Sequence, residues 1–163
     1  MGLYDTYYDI AQAGQFADSC AQRDVITRPN DNTPLDFGVP VRIITPTGAA
    51  TGSSPVVTLG GSDDTIIGIS VFKQPCEPSL SGSMITYQYK PNEPVSILTN
   101  GRIYVKVEMK VAPFDIAYID ILGNFTKDAT GNQEFGVFTK GANAGGLAVL
   151  QFSLSAYAVA GGL

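Results

Sequence analysis

The sequence predicts an all-β domain, a small β-barrel or β-sandwich, with an extended N-terminal arm that contains at most a short helix. Three observations lead there. Residues 65–72 (TIIGISVF), 83–89 (SMITYQY) and 93–109 (EPVSILTNGRIYVKVEM) are apolar runs rich in β-branched and aromatic side chains, the types that fit a pleated, half-buried surface. Eighteen Gly and 10 Pro fall mostly between such runs, where they would interrupt a helix at nearly every turn. The connections are short and turn-like, so strand follows strand, and this pattern fits a closed barrel and a sandwich equally well.

Residues 1–36 read as the arm and residues 37–163 as the β domain. The arm opens with Tyr4, Tyr7 and Tyr8 and ends in the polar, Pro-broken RPNDNTPLD. Its segment 11–21 (AQAGQFADSCA) is a weak helix candidate, because Gly14 costs about 1 kcal/mol relative to Ala and so short a helix is marginal in water. The tyrosines suit either a groove on their own domain or a neighbouring protein, since each joins a large apolar ring to a hydroxyl.

From residue 39 the strands come in order. VPVRIIT (39–45) is followed by the turn-rich PTGAATGSSP, then VVTLGGSDD leads into TIIGISVF. QPCEPSLSGS separates that strand from SMITYQY. Asn100-Gly101, between VSILT and RIYVKVEM, is the strongest hairpin signal in the chain, because a type I′ turn needs positive φ at both central residues. DIAYIDI, FTKDATGNQ and EFGVFTK follow, and GANAGG precedes a last strand in which Leu150, Phe152, Leu154 and Ala156 alternate. Residues 141–163 carry no charge, but five Gly and several polar residues spoil a membrane-spanning helix, so this strand is expected to be buried or to face another subunit.

Composition limits the function classes. Charged residues make up 15% of the chain against roughly 25% in an ordinary soluble domain, which suggests a surface partly covered by partner subunits; a monomer coated in neutral polar residues is the alternative. The net charge of −5 and the lack of a basic cluster argue against direct binding of nucleic acid. Cys20 and Cys76 stand far apart with no CxxC and no His, so free thiols and a reducing compartment are expected, with a disulfide still open. The first residues carry acids where an export signal would carry Lys or Arg.

Nothing in the chain resembles a catalytic set. It has no His, hence neither the commonest general base nor the commonest metal ligand. Asp63-Asp64 reads as a turn rather than as part of a calcium site, which would need six to eight oxygens. Asp115 and Asp120 lie five residues apart, on opposite faces of a strand. DATG at 128–131 is a turn, and the Gly-rich stretches lack the Lys and helix start of a phosphate cradle. Catalytic, cofactor-binding and metal-ligating residues are therefore all read as none.

The order of several elements resembles a known family. GQFAD (14–18), an apolar strand after GVPV, a GGS turn feeding IIGISVF, NEPVSILTNGRIYVKVE and DIAYIDILGNF together are similar, over roughly residues 14–152, to the capsid cement or decoration proteins of tailed bacteriophages. The resemblance implies a non-enzymatic virion protein, made in the host cytoplasm, that binds the outer surface of the capsid. It implies bridging of neighbouring major capsid proteins against internal pressure, self-association as a homotrimer, and no cofactor or membrane. Residues 37–163 would then be the cement domain. Interface contacts would come from Leu3, Tyr4, Tyr7, Tyr8 and Phe16 on the arm and from Phe152, Leu154 and Tyr157 at the C-terminal strand. The 13 residues before Gly14 and the apolar tail after Phe152 depart from the family pattern. A tail or adhesion module is the alternative; a nucleotide hydrolase of the dUTPase sort would need a basic, Gly-rich C-terminal motif, and AVAGGL has no Arg or Lys.

Overall fold

The apolar runs form strands, and long-range pairing decides where each one lies. The computed structural model describes residues 11–17, 23–45, 55–73 and 88–154. Its strands are β1 (Asp24–Pro29), β2 (Leu35–Asp36), β3 (Pro40–Ile44), β4 (Val56–Leu59), β5 (Ile66–Ser70), β6 (Gln88–Tyr89), β7 (Pro94–Lys106), β8 (Ile116–Ile119), β9 (Phe125–Thr126), β10 (Gln133–Lys140) and β11 (Leu147–Ser153). The main sheet is antiparallel and runs β4-β3-β5-β7-β11-β10-β8-β9, with β1 also on β7; β2 and β6 pair separately. The path from β4 to β9 does not close on itself, so the protein is sandwich-like and not a closed barrel. Among the described residues there is no helix, and thus none long and apolar enough to cross a membrane.

β7 is the axis of the molecule. Residues 94–100 pair with β1, Ile97 and Leu98 pair with β5, and residues 100–106 pair with β11. The hairpin expected at Asn100-Gly101 is therefore absent: the strand continues through both residues. Asn100 pairs with Asp24 on one neighbour and Ser153 on the other, and Gly101 pairs with Phe152. Two sets of tertiary partners outweigh the local turn preference. The glycine is still required, because φ there is +140° and a Cβ would lie 3.2 Å from the Arg23 Cβ and 3.4 Å from the Leu98 Cδ1. Gly101 marks the point where β7 exchanges β1 for β11.

Two apolar clusters lie on opposite sides of the central strands. Ile67, Val95 and Ile97 pack with Leu35, Val41, Val57 and Tyr89 in the smaller cluster. Ile66, Ile69, Leu98, Ile103 and Val105 join Ile119, Phe125, Phe138, Leu150 and Phe152 in the larger. Neighbours such as Ile97 and Leu98 enter different clusters because successive strand side chains point to opposite faces. All five residues of β5 are buried, which explains its unbroken apolar sequence. In the smaller cluster the Tyr89 hydroxyl donates to Val71 O (2.7 Å) and accepts from Ser96 N–H (3.3 Å), so a phenol that is 1% exposed keeps its polar end satisfied.

Two outcomes are expected from this packing. A Cβ on Gly68 would lie 2.2 Å from Leu98 O and 2.5 Å from Ile97 Cγ2, so Gly68→Ala should cost roughly 1–3 kcal/mol or more in denaturant unfolding; an unchanged midpoint would contradict the β5–β7 contact. Hydrogen bonds from the Lys73 ammonium and then from Lys90 N–H hold the Glu93 carboxyl below its ordinary value of 4.5. A lowered folded pKa gives stability that is present above pH 4.5 and is lost as pH falls through the folded value. Glu93→Gln should therefore flatten the acid limb of a stability–pH curve below about pH 5, as read from denaturation midpoints.

Candidate functional site

Within the segment expected as an arm, residues 1–36, β1 pairs with β7 and, among the described residues, residues 14–17 are fastened to β7 as well. Gly14 N–H donates to Tyr104 O (2.7 Å), Tyr104 N–H to Gln15 O (2.9 Å) and Ala17 N–H to Arg102 O (3.2 Å), with Phe16 bridging Ile103. Residues 14–17 thus bridge to the second half of β7 in extended pairing at Phe16, where a helix had been the candidate. Gly14 also meets the turn after β2. Its carbonyl accepts from Phe72 N–H (2.7 Å), and Gly38 N–H donates to Ser70 O (2.8 Å) beside it. A Cβ on Gly14 would lie 2.7 Å from Phe72 N and 2.8 Å from Gly38 N, and φ is +83°, so only glycine fits this crossing.

Three of the eight interface candidates fall among the described residues. Phe16 is half-buried against the larger cluster, with the Arg23 guanidinium 4.2 Å above its ring. Phe152 is 4% exposed and faces the subunit's own core, and Leu154 packs partly buried beside it. Leu3, Tyr4, Tyr7, Tyr8 and Tyr157 lie outside the described residues, as do Cys20 and Cys76.

The acids that drew attention in the sequence hold turns. Asp64 accepts from Gly61 N–H (3.0 Å) and pairs with Arg42 (3.4 Å). Asp115 accepts from Ala112 N–H (2.9 Å) and pairs with Lys127 (3.7 Å), while Asp120 accepts from Leu122 N–H, Asn124 N–H and Asn124 Nδ2 within 2.9 Å. Asp128 accepts from Thr130 N–H (2.9 Å), and that bond lowers its pKa. No group of three or more His, Cys, Asp or Glu converges on a metal-sized site among the described residues. A groove of about 690 Å³ opens beside Gln12, Ala13, Gly38, Lys106, Glu108 and Phe125, next to the root of the arm.

The structure also exposes side chains the sequence reading passed over. Phe114 is 84% exposed with φ at +72°, an uncommon conformation for a bulky residue and one that costs on the order of 1–3 kcal/mol. Ile116 and Val137 stand opposite each other across β8 and β10, both exposed. Leu59, Ile121 and Leu122 are exposed around the turn after β8. The available signal was an apolar residue where a turn usually carries a polar one, Phe114 after Pro113 and Ile121-Leu122 before Gly123.

A family model described as structural cement protein (E217 gp24/Pam3 gp6) matches residues 2–153. The chain belongs to the phage structural cement protein family. This cement protein is accordingly a structural component of the phage particle, in line with the resemblance in the order of its strands. Among solved structures, a chain from the capsid of Myoviridae phage XM1 is similar at 19% identity and a TM-score of 0.56, covering 90% of this chain and 93% of that one, which shows a shared fold. The N base of head fiber gp8.5 from bacteriophage phi29 matches at 10% identity and a TM-score of 0.46, over 81% of the cement protein and 95% of that chain. No curated protein sequence matches the cement protein.

Gly14→Ala should separate the arm root from β7. The backbone alone contributes about 1–2 kcal/mol against a left-handed alanine, and the contacts with Phe72 N and Gly38 N add to it. Amide exchange at Tyr104 should accelerate while the β10–β11 amides stay protected; uniform acceleration or none would show that the root is not an independent latch.

Proposed function

We propose that this protein is a non-enzymatic cement that binds the outer surface of the phage head and bridges neighbouring major capsid proteins against the pressure inside. The observation that carries this reading is the family match over residues 2–153. In this reading the protein is made in the host cytoplasm, assembles as a homotrimer on the capsid, and needs no cofactor, membrane or direct nucleic-acid contact. The β domain is the rigid body and the arm is the strap. The root at residues 14–17 is held by hydrogen bonds to Tyr104 and Arg102, and Leu3, Tyr4, Tyr7 and Tyr8, which precede it in the chain, are assigned to the contact with the capsid. Tyr157 is assigned to the same surface from the C-terminal side. Phe16 and Leu154 take part through their packing at the two roots, and Phe152 supports Leu154 from within the core.

Repetition around a shell makes modest individual contacts sufficient. Joining two contacts through one rigid body can raise overall binding by roughly 10²–10⁴ over either contact alone. The experiment adds purified protein to expanded capsids that lack it and measures the temperature and osmotic shock at which they rupture. Saturable binding at micromolar concentration and a higher rupture threshold are expected; no binding, or binding without added resistance, removes the reading. Deleting residues 2–9 should weaken capsid binding while the β domain keeps its unfolding transition. Loss of the folded state on that deletion would show instead that the tyrosines pack on their own domain.

A further inference from the structure

Six of the seven large apolar side chains exposed among the described residues fall into two patches, and the patches carry opposite charge. The first is Phe114 (84% exposed), Ile116 (43%) and Val137 (39%). Phe114 N–H donates to Phe138 O and Phe138 N–H to Asp115 O, so Phe114 is fastened beside the β8–β10 ladder that carries the other two. Lys127, paired with Asp115, lies beside it, Lys140 and Glu134 stand three residues to either side of Val137 along β10, and Lys110 precedes Phe114 by four residues, three cations to two acids. The second patch is Leu59 (45%), Ile121 (65%) and Leu122 (71%). Ser62 N–H donates to Asp120 O (2.9 Å), which locks the loop after β4 to the turn after β8. Its charges are Asp63, Asp64 and Asp120 against Arg42, three acids to one cation.

We propose that these patches are the two halves of one contact between copies of this chain: the Lys-rimmed Phe114 patch of one copy packs on the Asp-rimmed Leu122 patch of another. The two lie at opposite ends of β8, a strand of roughly 13 Å within a rigid sheet, so neither can cover the other in the same copy. Opposite charge balances favour the unlike pairing and disfavour like with like. The left-handed conformation at Phe114 holds a large ring out in water, the sort of strain that persists where the surrounding structure enforces it at a binding surface. Unlike patches that meet head to tail build a ring, as a capsid-bound homotrimer needs, where the rotation between copies closes. The inference deepens the self-association proposed above and rests on that reading.

The test is the solution mass of the full chain by light scattering and sedimentation equilibrium. Wild type should be a multiple of the single chain, dissociating more readily as salt is raised. Phe114→Asp and Leu122→Asp should each weaken assembly at least about tenfold, the scale expected of a central apolar anchor, and Val25→Asp should not. Mixing the two patch variants should recover assemblies containing both chains through the one intact pair of patches. Phe114→Gly should keep or raise the Tm while losing assembly, which separates lost contact from lost fold. A monomeric wild type overturns the proposal, as does assembly insensitive to either patch, or variants that fail to complement. Capsid binding measured alongside keeps the two readings apart. Assembly through the patches without capsid binding would remove the cement reading alone, whereas capsid binding with assembly untouched by both substitutions would remove this one alone.

Discussion

β7 hydrogen-bonds along its first half to β1 and β5 and along its second half to β11 and to residues 14–17, and most of the molecule takes its place from that division. A 13-residue strand with two sets of neighbours cannot be flat. The exchange of partners falls at Asn100-Gly101, where the missing Cβ lets Arg23 and the Leu98 side chain close on the backbone. The first half of the strand feeds both apolar clusters, through Val95 and Ile97 on one face and Leu98 on the other, and the second half feeds the larger, so the clusters are coupled through one backbone and do not behave as separate lobes. β5 is buried on both faces, whereas the second half of β7 alternates buried Ile103 and Val105 with the exposed Arg102 and Lys106, so the few charges of this chain stand on the outward positions of its strands.

The same strand sets the geometry of the periphery. The arm root occupies the edge of β7 beyond the end of β5, and Gly14 and Gly38 allow the arm, the turn after β2 and the end of β5 to meet backbone to backbone. At the other end of the sheet, β8 is a short strand between β10 and β9 whose two ends carry the exposed apolar patches. A rigid centre, a latched arm and two displayed patches fit a protein whose work is contact rather than chemistry, and the Asp carboxylates that could suggest a site are occupied by turn amides.

Much of the fold was legible because the relevant signals are local. The alternation in RIYVKV, the continuous run in TIIGIS and the Asp-bearing turns at 63–64 and 128–131 all lie where they were expected. Asn100-Gly101 misled for the opposite reason: its turn preference is local, whereas its partners Asp24 and Ser153 are tens of residues away and invisible in a short window. Residues 14–17 differ from the helix candidate for the same cause, since the edge of β7 supplies the hydrogen bonds that a helix would otherwise have made. Phe152 shows the limit of alternation as a signal. It identifies a strand face but does not say whether that face meets the subunit's own core, and here it does. Phe114, Ile121 and Leu122 were passed over because exposure depends on what packs above a residue, and that is a property of the assembled sheet.

The central claim is that this β domain sits on the outside of a phage head and spans neighbouring capsid subunits. Imaging of particles with and without the protein, to a resolution at which sheets are visible, addresses it most directly. The difference density should match the β4-to-β9 sheet on the outer face of the shell, astride a boundary between capsid proteins, with the arm root turned toward it. Difference density inside the shell, confined to the tail, or resting within a single capsid subunit would contradict the account.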